Sequence, residues 1–170
     1  RSSDLYELDL VFRSQSIDSL YFGFWTDGEA SCVSDTYLGC LPEENLSYWY
    51  RGFVDTTGVG FCSPSLQLDM IGMKFLRTPN PDASFDYFTS PVNPGTVPTP
   101  PGEITFPQTA PEVSYYLSGR WRDGLPLSYG GSGYNPSAED TVRYIFSDPP
   151  EQPDGWSMCR VDSLRTARFA

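Results

Sequence analysis

Apolar residues fall in short runs along this chain, with turn-forming residues between them. Residues 5–12 read Leu-Tyr-Glu-Leu-Asp-Leu-Val-Phe, a partial alternation that predicts a strand. A polar connection follows over 13–19. Residues 20–25, Leu-Tyr-Phe-Gly-Phe-Trp, are strongly β-forming and predict a central strand. Residues 26–42, rich in Asp, Gly, Ser and Cys, read as a loop. Residues 46–54 carry Tyr48, Trp49, Tyr50 and Phe53 and predict another strand. The apolar, Met-rich run 66–76 predicts a buried strand, although its periodicity also admits a helix.

Residues 91–111 hold seven prolines, which bars a central strand. The stretch reads as an ordered polyproline-like crossing segment or as a flexible linker, with residues 103–106 as a short edge strand inside it. Residues 115–121 come next, then a turn at Asp123-Gly124 and a glycine loop, Tyr129-Gly130-Gly131-Ser132-Gly133-Tyr134. Residues 141–146 alternate well and predict a strand. There is no internal repeat and no long helical pattern. The expected fold class is all-β: an antiparallel β-sandwich-like single domain over 1–170, with long Pro/Gly-rich loops.

Composition supports that class. Aromatic content is 15%, with 15 Gly and 16 Pro, the mixture expected of short strands joined by many turns. A length of 170 residues suffices for one domain with its own core. The formal net charge of -11 argues against nucleic-acid binding through phosphate neutralisation. An acidic surface favours solubility and attracts divalent cations. Histidine is absent, which removes His-based triads, Cys-His dyads and His metal sites. No apolar run is long enough to predict membrane insertion.

The four cysteines are Cys32, Cys40, Cys62 and Cys159. An even count in an acidic, Lys-poor chain favours disulfides and an oxidising compartment over buried free thiols. Three pairings are possible; Cys32 with Cys40 and Cys40 with Cys62 are the favoured ones. Paired CxxC spacings, the mark of a zinc site, do not occur.

Three segments in chain order carry a resemblance. The first is Leu20-Tyr21-Phe22-Gly23-Phe24-Trp25-Thr26-Asp27, followed by Asp35-Thr36-Tyr37-Leu38-Gly39-Cys40. The second runs from Tyr115-Tyr116-Leu117-Ser118-Gly119-Arg120-Trp121-Arg122-Asp123-Gly124 to Leu127-Ser128-Tyr129-Gly130-Gly131. The third is Ile145-Phe146-Ser147-Asp148-Pro149, then Gly155-Trp156. Together they resemble a family of large secreted proteins of Bacteroidota-type bacteria, typically exported by the type IX system. The resemblance implies an extracellular β-sandwich-like region at the cell surface and no known catalytic activity. It also implies that the chain is a fragment of something larger, because the family pattern continues past Arg168-Phe169. The chain departs from the family at three acidic positions: Glu29 stands for an Asp, Thr36 replaces the second Asp of a pair, and Leu41 replaces the Asp after the Cys.

The 26–42 loop is the best metal candidate. Asp27, Glu29 and Asp35 lie close in sequence, and calcium takes about six to eight oxygen ligands from carboxylates, carbonyls and water. The alternative is a solvated loop whose Asp side chains cap turns. An EF-hand is excluded by spacing. If the metal is lost, a Cys32–Cys40 bridge would hold the same loop. Trp49, Tyr50, Trp121, Tyr129, Tyr134 and Trp156 are candidates for a sugar-stacking platform, against the ordinary reading of buried core aromatics. Glu103, Glu112, Glu139 and Asp140 offer carboxylates for glycosidase chemistry, but no spacing singles out a pair. The glycine loop lacks the Gly-Lys-Ser/Thr ending of a phosphate loop.

These observations lead to one expectation: a non-catalytic extracellular assembly module, an adhesin segment or filament subunit, whose partners are copies of itself or other cell-surface proteins. A carbohydrate-binding module that recognises glycans is the alternative. Residues 1–12 and 91–111 are the expected contact arms, through strand addition.

Overall fold

The computed structural model describes residues 4–11, 13, 20–26, 36–51, 70–77, 86–91 and 101–161. Its centre is one antiparallel sheet of three strands in the order β1-β2-β3: β1 is Thr36–Leu41, β2 is Leu46–Arg51 and β3 is Met70–Lys74. A single 3-10 turn, Pro42–Glu44, joins β1 to β2, and Asn45 closes it in the left-handed region at φ 54°. Asn tolerates that conformation better than most residues. In register, Leu38 faces Trp49, Gly39 faces Tyr48, and Trp49 faces Ile71.

Both faces of β1 and β2 are buried. Leu38, Cys40 and Trp49 share one face, and Tyr37, Tyr48 and Tyr50 share the other. Gly39 sits opposite Tyr48 because a Cβ there would come within 2.6 Å of the phenol oxygen. The outer edge of β1 is covered: the Cys40 amide donates to Phe146 O at 3.3 Å, and the Leu38 amide points at Met158 Sδ at 3.4 Å. Residues 101–161 supply this cover. Trp121, Leu127, Ile145, Phe146, Trp156 and Met158 join the sheet residues in one core.

The only α-helix among the described residues is α1, Ala110–Leu117. Thr109 caps it. Its hydroxyl accepts from the Glu112 amide at 3.4 Å, and the Glu112 carboxylate accepts from the Thr109 amide at 3.1 Å. This capping box closes two of the orphan donors at the helix start. Buried Tyr116 ties α1 down by donating to Thr105 O at 2.6 Å.

A mostly-β reading holds in its coarse form, as a small antiparallel sheet with little helix. Several expected elements change. Residues 36–41, placed in a loop, form β1. The buried strand expected over 66–76 is β3, an edge with Met70 and Ile71 exposed. Residues 5–11 and 20–25, expected as strands, pair with none of the described strands and lie exposed. Residues 141–146 make only an isolated parallel bridge, Tyr144 to Phe88. Gly102–Ile104 is a 3-10 turn where an edge strand was expected. No described helix is long and apolar enough to cross a membrane.

Candidate functional site

The glycine loop is the best-defined polar constellation among the described residues. Gly130, Gly131 and Gly133 have φ of +93°, +50° and +80°, a path that side-chain-bearing residues resist. The loop closes on itself: the Gly133 amide donates to Gly130 O at 2.9 Å and the Ser128 amide to Gly133 O at 3.0 Å. Two indoles pin it. Trp121 Nε1 donates to Gly133 O at 2.8 Å, and Trp156 Nε1 donates to Gly131 O at 3.1 Å. A Cβ on Gly133 would meet Ile145, Trp121 and Trp156 at 3.2 to 3.4 Å.

Carboxylates tie the flanks. Asp148 Oδ2 accepts from the Tyr129 hydroxyl at 2.8 Å and from the Trp156 amide at 2.6 Å. Asp123 Oδ2 accepts from the Tyr134 hydroxyl at 2.9 Å. The bond to Asp148 raises the Tyr129 phenol above its ordinary pKa, with burial adding to it. Burial first, and then Asp123, pushes the Tyr134 phenol up to about 12. Both phenols are therefore held protonated as donors. The arrangement clamps a loop; both carboxylates are engaged in that clamp.

The expected stacking residues are placed differently from a sugar platform. Trp49, Trp121 and Trp156 are buried, and Tyr134 is half-buried. Their rings pack on one another: Trp121 edge-on to Tyr134 at 6.3 Å, and Trp156 against Tyr129 at 5.0 Å. Only Tyr129 is exposed, at 55%. One exposed ring and three buried ones do not make a coplanar surface, because the indoles are spent filling the core and pinning the loop.

Two of the four cysteines, Cys40 and Cys159, lie among the described residues. Cys40 is a free thiol, fully buried, donating to Ile145 O at 3.4 Å. Burial pushes its thiol far above the ordinary range, with Glu43 and Asp148 adding to the shift. Cys159 is free and half-buried, 3.4 Å from Ser157 Oγ. In this arrangement the Cys40 thiol is engaged with a backbone carbonyl. Cys32 and Cys62 lie outside the described residues, as do the metal candidates Asp27, Glu29 and Asp35. Among the described residues no group of three or more acidic or cysteine side chains is placed to hold a metal.

Of the carboxylates considered for hydrolysis, Glu112 is engaged structurally. Arg122 reaches Glu112 Oε1 at 3.2 Å and Thr105 Oγ1 at 3.0 Å. Glu112 is held below the usual carboxylate range, first by the Gln108 amide and then by Arg122.

A feature that residue-by-residue reading missed is the amount of apolar surface left outside the core. Leu5, Tyr6 and Val11 are 73 to 83% exposed, and Leu20, Phe22, Trp25, Met70 and Leu76 are exposed as well. Within this surface Phe24 touches Phe75 at 5.6 Å and Trp25 touches Phe106 at 5.7 Å. No family model, curated protein or solved structure matches this chain.

Proposed function

We propose that this chain is a non-catalytic extracellular assembly module of a bacterial cell surface, acting by association with copies of itself. The observation that carries this reading is the exposed apolar surface on residues 5–11, 20–25 and 70–76. Monomeric proteins rarely leave large contiguous apolar patches in water, and such patches mark interaction sites. A soluble monomer gains nothing from an exposed Leu-Tyr-Glu-Leu-Asp-Leu-Val segment, whereas an assembling subunit can bury it. The engaged carboxylates Glu112, Asp123 and Asp148 fit a scaffold better than a reaction centre.

A sandwich-like architecture belongs to the same proposal. Burial on both faces of β1 and β2 fits a sheet covered on each side. The bacterial cell-surface location rests on the resemblance of the three sequence segments.

Light scattering on the full chain, over about two decades of concentration, tests the association. The expected outcome is a mass that rises with concentration. A single monomeric mass throughout, with calcium and with chelator, refutes self-assembly. Protease shaving of intact cells producing the protein tests the location; protection of the chain until lysis refutes it.

A further inference from the structure

We infer that the outer edge of β3 is the acceptor for residues 7–11 of a second copy of this chain, paired antiparallel with Glu7 opposite Lys74 and Val11 opposite Met70. This inference rests on the self-assembly reading and names its contact.

The edge is open. The Phe75 amide donates to Asn45 O at 3.0 Å, on the β2 side. Antiparallel alternation then turns Met73 and Ile71 toward β2 and the backbone groups of Met70, Gly72 and Lys74 outward. No described residue pairs with that outward row. Natural edges are usually blunted by charges, prolines or bulges. β3 reads Met-Ile-Gly-Met-Lys, with Lys74 its only charge, while the outer edge of β1 is already covered by Phe146 and Met158.

The matching strand is carried by the chain itself. Residues 4–11 are exposed throughout and take part in no sheet. Their side chains alternate: Tyr6, Leu8 and Leu10 on one side, Glu7 and Asp9 on the other. β3 alternates too, with Ile71 and Met73 on one face and Met70, Gly72 and Lys74 on the other.

Register follows from matching the two patterns. Antiparallel pairing of 7–11 with 74–70 sets Leu8 beside Met73 and Leu10 beside Ile71. It sets Glu7 beside Lys74, Asp9 beside Gly72 and Val11 beside Met70. Apolar meets apolar, and the one cation on the edge meets an acid. Lys74 now reaches Glu44 at 3.0 Å across exposed surface and can share its three donors with a second carboxylate. The parallel register that keeps the same faces puts Val11 beside Lys74 and Glu7 beside Met70, and loses that match. The outward groups of Met70, Gly72 and Lys74 would gain about six backbone hydrogen bonds. Among the described residues the segment pairs with no strand, and a second copy supplies the partner in this inference. Each copy offers one donor and one acceptor, which allows reciprocal dimers or open head-to-tail chains.

The test is sedimentation equilibrium of the full chain, with hydrogen exchange read by mass spectrometry at low and high concentration. The wild type is expected to associate, with residues 7–11 and 70–74 gaining protection only as concentration rises. Leu8→Ser with Leu10→Ser alters only exposed side chains and should weaken association about tenfold or more. Glu7→Lys and Lys74→Glu should each weaken it, and the two together should restore it. A monomeric wild type overturns this inference and the assembly reading together. Association that the Leu8/Leu10 variant leaves unchanged overturns this inference alone. Concentration-independent protection of 7–11 means pairing within one chain and overturns the second-copy partner. Failure of the double charge swap to restore association overturns the register.

Discussion

Trp121→Phe tests how far the glycine loop holds the core together. Trp121 is fully buried, and its indole nitrogen donates to Gly133 O at 2.8 Å. Phenylalanine keeps the aromatic contact with Tyr116, whose ring lies 6.0 Å away, but loses the donor and part of the volume. Gly133 O is not orphaned, because the Ser128 amide still donates to it at 3.0 Å. The lost hydrogen bond therefore costs about 1 kcal/mol, not the larger penalty of a stranded buried carbonyl. The void left by the smaller ring, about 40 Å³ at about 24 cal/mol per Å³, adds about 1 kcal/mol. The sum of about 2 kcal/mol corresponds to a fall in Tm of about 4–8 °C for a domain of this size. Urea unfolding followed by far-UV circular dichroism measures it, with an unchanged m-value as the sign that the folded state is the same. A loss below about 0.5 kcal/mol, the range of ordinary surface substitutions, refutes the clamp.

Three further outcomes follow from particular contacts. Gly39→Ala drives a Cβ into the Tyr48 phenol and should cost about 1–3 kcal/mol in the same unfolding assay. In the native protein, Cys40 should resist iodoacetamide while Cys159 reacts sooner, and both should react after denaturation; peptide mass spectrometry reads the order. The Tyr134 phenol is raised to about 12 in the folded state against about 10 unfolded, so the folded form holds its proton more tightly. That contribution is complete below about pH 10 and is lost as pH climbs toward 12, so alkaline unfolding should begin in this window. Tyr134→Phe should flatten it, as followed by phenolate absorbance together with circular dichroism.

Sequence pattern and structure agree where local preference and burial point the same way. Leu46–Arg51 is aromatic and alternating, and it became the central strand β2. The glycine run from Tyr129 to Tyr134 became a loop for the reason its composition implies. The disagreements have physical causes. Residues 20–25 have high β preference, but preference supplies no partner, and none of the described strands pairs with them. Thr36–Leu41 was hidden by its Asp- and Gly-rich setting, although Tyr37 and Leu38 are β-formers. Helix α1 had a signal that went unused: Thr109-Ala-Pro-Glu112 is a capping box with proline in the first turn. The indoles of Trp121 and Trp156 are equally suited to a sugar face or a core, and their carbonyl partners 12 and 25 residues away decide for the core. Such distant partners leave no local trace in a sequence.

Lys74 is the only lysine in the chain and stands on the exposed edge strand. A lysine-specific endoprotease thus has one cleavage point, the bond to Phe75. It divides the chain into a 74-residue piece that holds the whole sheet and a remainder that holds α1 and the glycine loop. The two pieces share the core formed by Leu38 and Trp49 with Ile145 and Phe146. The nick therefore converts the core into an interface between two polypeptides, and their dissociation reports its strength free of chain connectivity.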